Sequence, residues 1–173
     1  KRLAEEDAGV GKNAAGSSAL SQGSLLAEIS FPGFGAFKKS IAKKIPGEAA
    51  LEFLPEKKTL LVCLDGREIF SLKPSEFNSP EAKLFFESGS IKYIFNAKPL
   101  YRASLEARVS VKNVFDFILA AYLFDPGRGE YSIDEFMPAV LGQEAPSQKT
   151  ADRLKKFFEL GRITRARLEK EEL

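Results

Sequence analysis

The stretch "FDFILAAYLFDP", Phe115 to Pro126, is apolar around nearly its whole circumference when wound as a helix. Asp116 stands where an N-cap belongs, with a carboxylate able to accept from the amides that open a helix. Asp125-Pro126-Gly127 ends the run, because proline cannot continue it. A helix that is apolar all round is expected to be buried on most sides, here against a sheet. The fold then depends on the strands that supply that sheet.

Upstream, "EAALEFL" (48–54) and "TLLVCLDGREIFSLK" (59–73) read as three strands. Asp65-Gly66 joins the second to the third as a two-residue hairpin, since both positions tolerate positive φ. The folded part is expected to begin near Gly47 with this antiparallel meander. "SPEAKLFFESG" (79–89) predicts a short helix, with Ser79 as cap, Pro80 at the first helical position and Gly89 as its end. "IKYIFNA" (91–97), β-branched and aromatic, is a fourth strand. "KPLYRASLEAR" (98–108) is a helix with Leu100, Ala103 and Leu105 near one side, and "VSVKNVF" (109–115) is a brief extended return to the sheet. Beyond the opening helix, "SIDEFMPAVLG" (132–142) has Ser132 and Glu135 at capping-box spacing and Gly142 as its stop, with Pro138 shortening or kinking it. Residues 149–173 form a long helix whose Leu154, Phe157, Phe158, Ile163 and Leu168 make an interrupted apolar stripe. A meander, then alternating helix and strand, then helices predict an α/β domain: a mixed sheet flanked by helices.

Residues 1–30 are a different material. "EEDAGVGKNAAGSSALSQGS" (5–24) has almost no large apolar side chain to offset ordering entropy, so it reads as a flexible linker. Residues 31–46 interleave Phe31, Phe34 and Phe37 with Lys38, Lys39, Lys43 and Lys44. Aromatics among bases are one pattern of single-strand binding; a connector with a solvated lysine face is the preferred reading. The domain proper is placed at 47–173.

Composition excludes several chemistries. With no histidine there is no histidine base, no serine-histidine triad and no histidine metal ligand. The single cysteine, Cys63, permits neither an intramolecular disulfide nor a multi-cysteine zinc site, and within "TLLVCLD" it reads as a small buried hydrophobe. Lys plus Arg number 26 against 24 Asp plus Glu, so no global field draws the chain to nucleic acid or an anionic membrane. No stretch approaches the ~18 consecutive apolar residues of a membrane span, and the lone cysteine suits a reducing cytoplasm; a monomer is expected.

"VFDFILAAYLFDP" resembles the segment after the second catalytic motif in the 3′–5′ exonuclease domain of bacterial DNA polymerase I, commonly worded Phe-Asp-Thr-Met-Leu-Ala-Ala-Tyr-Leu-Leu-Asp-Pro. "DGREIFSL" (65–72) resembles that domain's third strand, "KYIFNAKPLYRASLEARVSV" (92–111) its second motif and the following helix, and "GEYSIDEFMPAVLG" (129–142) the segment beyond. "ELGRITRARLEKEEL" (159–173) resembles the helix leading toward the polymerase domain. The resemblance covers roughly 46–173, and it implies a ribonuclease H-like fold and a parent that synthesises DNA in replication and repair.

The resemblance also implies where metal ligands should stand. Active members of this family hold two divalent ions about 4 Å apart on four carboxylates, because Mg²⁺ or Mn²⁺ takes hard oxygen ligands. The first motif, Asp-x-Glu, aligns with Glu52 and Leu54; the Asp of the second aligns with Leu100 in "NAKPL"; the Asp of the third aligns with Arg153, or with Asp152 one residue earlier, and its Tyr with Lys149 or Gln148. Leucines cannot bind metal, so no catalytic residue, metal or cofactor is expected, and the domain is read as vestigial, a platform beside the polymerase domain. Two alternatives stay open. One is an active Mg²⁺- or Mn²⁺-dependent exonuclease with displaced ligands Glu52, Glu56 and Asp152. The other is a nucleic-acid-binding module using Lys38, Lys39, Lys43, Lys44 and Lys98. Asp116 reads as a helix cap, Asp65 as a hairpin residue, and Asp134 and Glu135 as first-turn charges.

Overall fold

Asp65 and Gly66 both take positive φ, 48° and 72°, and the Arg67 amide closes the turn on the Leu64 carbonyl at 3.0 Å. The hairpin read from Asp-Gly is therefore present. It joins β2 (Thr59–Leu64) to β3 (Glu68–Leu72), and β2 also pairs antiparallel with β1 (Glu48–Leu54). The computed structural model describes residues 30–142 and 149–171. Residues 1–29 of the leader reading (1–30), Gln148, and residues 172–173 of the expected long helix fall outside the described residues.

Past β3 a single 3-10 turn (Pro74–Glu76) leads to the first helix after the meander, Pro80–Glu87, capped by the Ser79 hydroxyl accepting from the Ala82 amide at 3.3 Å. β4 (Ile91–Ile94) then runs parallel to β1, and β5 (Val114–Asp116) parallel to β4, which completes a five-stranded sheet in the order β3-β2-β1-β4-β5. The expected α/β fold, a mixed sheet covered by helices, is the fold observed.

Each strand side feeds a separate core, which explains why the strands read as unbroken apolar runs rather than alternating ones. On one face Leu51, Leu60, Val62, Phe70 and Ile94 join Phe85 and Phe86 of the Pro80–Glu87 helix. On the other Ala50, Leu61, Cys63, Ile69 and Tyr93 meet Phe117, Met137, Leu154 and Phe157. Cys63 is fully buried, and burial pushes its thiol up to about 11, in keeping with a packing role.

Several sequence expectations are corrected here. Residues 34–43 form helix α1 (Phe34–Lys43), with Phe37 and Ile41 inside the first core; the helix packs on β3 and on the Pro80–Glu87 helix, α2, so the folded body starts well before Gly47. Two buried apolar side chains one turn apart are enough to dock so short a helix. In α3 (Lys98–Glu106), Leu100 and Ala103 face inward, whereas Leu105 is 78% exposed. The opening helix, α4 (Phe117–Phe124), buries Phe117, Ala120 and Ala121 but leaves Leu119, Tyr122 and Leu123 exposed. It follows the edge strand β5, where the sheet ends, so only one of its sides has a layer to pack on. α5 (Ile133–Leu141) passes through Pro138 and stops at Gly142 in the left-handed region; Ser132 caps it, while Glu135 pairs with Arg128 instead of closing a capping box. α6 (Thr150–Lys170) buries Leu160, Gly161 and Thr164 with the expected Leu154, Phe157, Phe158 and Leu168, and turns Ile163 outward. No helix among the described residues is long and apolar enough to cross a membrane.

Two burial sites yield measurable consequences. A Cβ at Gly161 would lie 2.2 Å from the Tyr93 ring, so Gly161→Ala is expected to destabilise by at least about 2 kcal/mol in urea denaturation. Gly35→Ala, in α1 with nothing within 4 Å, should instead stabilise, by roughly 0.5–1 kcal/mol. Lys92 in β4 is fully buried, its ammonium donating to the carbonyls of Ser90 (2.9 Å), Lys112 (3.1 Å) and Ser88 (3.4 Å), and burial lowers it from 10.5 to about 8. Between those two values the unfolded chain holds a proton that the folded chain has released, so Lys92 makes stability rise with pH across that window. The stability difference between wild type and Lys92→Met should therefore grow in favour of wild type from about pH 8 to 10.5; a difference flat across that range would contradict this assignment.

Candidate functional site

β1 alternates, so Ala50, Glu52 and Leu54 point toward α6 while Leu51 and Phe53 point the other way. Glu52 meets Arg153, on the first turns of α6, in a hydrogen-bonded ion pair between Oε1 and Nη2. Both side chains are about four-fifths buried, at 18% and 19% exposure. The other carboxylate oxygen, Oε2, is buried without a hydrogen-bond partner. Burial pushes the Glu52 carboxyl up, Arg153 pulls it down, and the negative charge of Asp134 pushes it up again; it stands above the ordinary range.

The four aligned motif positions do not converge. Glu52, Leu54 and Arg153 belong to the α6 side, Leu54 packing against the second core. Leu100 is completely buried in the first core, on the opposite face of the sheet. Glu56 lies in the turn after β1 and is exposed, because the strand ends at Leu54 and its alternation goes no further. Asp152 is exposed on the first turn of α6. Among the described residues no group of three or more Asp, Glu or Cys side chains is placed to hold a metal ion. The residues present do not fit a pair of divalent cations: the one carboxylate retained in the first motif is already neutralised by a guanidinium, and a leucine stands beside it.

Asp116 is occupied more fully than a cap alone. Its Oδ1 accepts from the Ile118 amide at 2.9 Å and from the Asn96 amide at 3.1 Å, and its Oδ2 from the Ala97 amide at 2.8 Å. One carboxylate thus caps α4 and ties the β4–α3 junction to β5. Asn96 takes positive φ, 67°, and its side-chain oxygen accepts from the Lys98 amide at 3.3 Å, leaving the Lys98 side chain exposed. Lys38 pairs with Glu81 at 3.0 Å and lies over the Phe34 ring, and its hydrogen bond holds the Glu81 carboxyl below the usual range. Lys39, Lys43 and Lys44 form the solvated face of α1 and its end, beside a Ser40–Glu68 hydrogen bond of 3.0 Å. The proximity of Asp134 to Glu52 was not legible in the sequence. It joins elements 82 positions apart that only the packing of α5 against α6 brings together.

No protein-family model matches the chain, and no curated protein matches it. Solved structures match its fold. One described as the apo form of a nuclease aligns with TM-score 0.62 over 81% of this chain and 80% of its own, at 11% identity. Brucella melitensis NrnC with bound Mg²⁺ gives 0.58 over 73% and 76%, at 13% identity. A protein from Bifidobacterium adolescentis gives 0.58 over 79% of this chain and 39% of its own, at 16% identity. What this chain shares with them at such identities is the fold alone, a ribonuclease H-like mixed sheet flanked by helices.

Breaking the Glu52–Arg153 pair is expected to strand a buried carboxylate. Arg153→Ala should destabilise by about 2–4 kcal/mol at pH 7, and Arg153→Ala with Glu52→Leu should recover most of the loss in denaturant titrations. A carboxyl raised in the folded state keeps its proton where the unfolded chain has lost it, so stability falls as pH rises from 4.5 through the raised value. Glu52→Gln should remove that portion of the slope.

Proposed function

We propose that this chain is the 3′–5′ exonuclease-like domain of a bacterial DNA polymerase I in vestigial form. Its exonuclease chemistry is lost, and it serves as a platform for the polymerase domain during DNA replication and repair, as part of a cytoplasmic, monomeric parent that holds the DNA. The observation that carries this reading is the Glu52–Arg153 ion pair. In the family that the sequence resembles, those positions hold acids with cations between them. Here one acid has become a base, and the pair neutralises itself. Water activation by two metals requires ligands that crowd oxygen around both ions. A guanidinium and two leucines offer none, and Arg153 would repel a dication from the carboxylate it holds.

The alternative reading is an active Mg²⁺- or Mn²⁺-dependent exonuclease with the displaced ligands Glu52, Glu56 and Asp152, of which Glu56 and Asp152 stand exposed while Glu52 is paired with Arg153.

The two readings separate in one assay. The purified chain, incubated with Mn²⁺ and a 5′-labelled single strand, is expected to leave the strand at full length even at high protein concentration. Mn²⁺-dependent shortening that disappears in Glu52→Ala would overturn the vestigial reading. The encoding gene tests the parentage separately: its reading frame beyond the Leu173 codon is expected to enter a polymerase domain, and an unrelated domain there would overturn that part.

A further inference from the structure

We propose that the groove between the β1–β2 turn and α3 binds the phosphodiester backbone of a single nucleic-acid strand. The groove encloses about 700 Å³ and is lined by Lys57, Lys58, Lys73, Lys98 and Arg102, with Glu106 as its one acid. These cations come from three separate places in the chain: the turn after β1, the residue following β3, and the first turns of α3. The whole chain is almost balanced, 26 cationic against 24 acidic residues, so a ratio of five to one in a single groove is a local feature and not a reflection of net charge.

Geometry supplies two further elements. α3, nine residues long, begins at Lys98 and Pro99 on the groove wall, which directs the positive end of its dipole toward anything bound there. Phe53 and Pro74 line the same groove, Phe53 only half buried, so apolar surface lies within reach of bases whose backbone follows the lysines. A cationic track with a neighbouring aromatic is the arrangement by which proteins hold single strands without reading sequence. Because Phe53 alternates with Glu52 on β1, the groove opens on the sheet face opposite the Glu52–Arg153 pair. Asn96, Lys98 and Pro99 of "NAKPL" line it, but none of the four aligned ligand positions, Glu52, Leu54, Leu100 and Arg153, does, and it stands whether or not the chain belongs to a polymerase.

The test is fluorescence anisotropy of a labelled twelve-residue oligothymidylate with the full chain, from 50 to 200 mM NaCl. Four phosphate contacts predict a slope of log affinity on log salt of about −3. Lys58→Gln, Lys73→Gln and Arg102→Gln together should weaken binding at least tenfold and flatten the slope to about −1, with the thermal midpoint of unfolding unchanged. Lys39→Gln with Lys43→Gln should leave affinity within twofold. Glu106→Gln, which removes the acid, should tighten binding two- to fivefold and serves as the independent variant if the triple one does not fold. Tripolyphosphate at the concentration of the strand should not displace it. The proposal is overturned by absence of binding, by affinity indifferent to the triple change and to Glu106→Gln, or by displacement with tripolyphosphate, which would make free phosphate the occupant.

Discussion

Helix α6 is held across the centre of the sheet at both ends of one strand. Glu48, at the start of β1, accepts from Arg162 Nε at 3.1 Å and Nη2 at 2.6 Å, and Glu52, near its end, accepts from Arg153. Between these pairs Gly161 presents bare backbone to the Tyr93 ring, and the Tyr93 hydroxyl donates to Glu48 at 2.9 Å. Burial pushes the Glu48 carboxyl up, but the hydrogen bonds from Arg162 and Tyr93 outweigh it and hold it below the ordinary range. A helix of 21 residues pinned in this way packs its aromatic stripe on β1 and β4. The second core, with Phe157 against Phe117 at 5.1 Å between ring centroids, is assembled around that placement.

The same clamp occupies the carboxyl end of β1. β1 lies at the middle of the strand order, and its carboxyl end is where an open α/β sheet offers a crevice for ligands. In this chain that end is spent on structure. Glu52 faces a guanidinium from α6, and Leu54, partly buried, packs against the second core. Asp116, the acid nearest in wording to a functional motif, is consumed by three backbone amides. Positive charge gathers instead on the other face, beside α3.

Much of this was legible one segment at a time. The Asp65-Gly66 hairpin, the Ser79 and Asp116 caps and the buried Cys63 follow from local rules, because φ preferences and capping hydrogen bonds involve neighbours a few residues apart. The positions Glu52, Leu54 and Arg153 were picked out by the resemblance alone. Periodicity was less informative where one side of an element has no partner. Leu119, Tyr122 and Leu123 read as core, yet they lie outward because α4 follows an edge strand. Ile163 reads as part of the α6 stripe, yet Gly161 and Thr164 take the inward places because the Tyr93 ring requires an open position there.

By itself, then, the sequence determined the strands, the helices from α2 onward, the order in which they occur and the absence of histidine chemistry, since these depend on residue type and short spacing. Only the tertiary structure decided that α1 belongs to the body of the domain, that Leu100 is buried on the face opposite Glu52, and that Glu52 and Arg153, 101 positions apart, neutralise each other. Whether two side chains meet across a sheet depends on which face each strand presents and on the register of the helix packed there. Neither is encoded in the distance between residues along the chain.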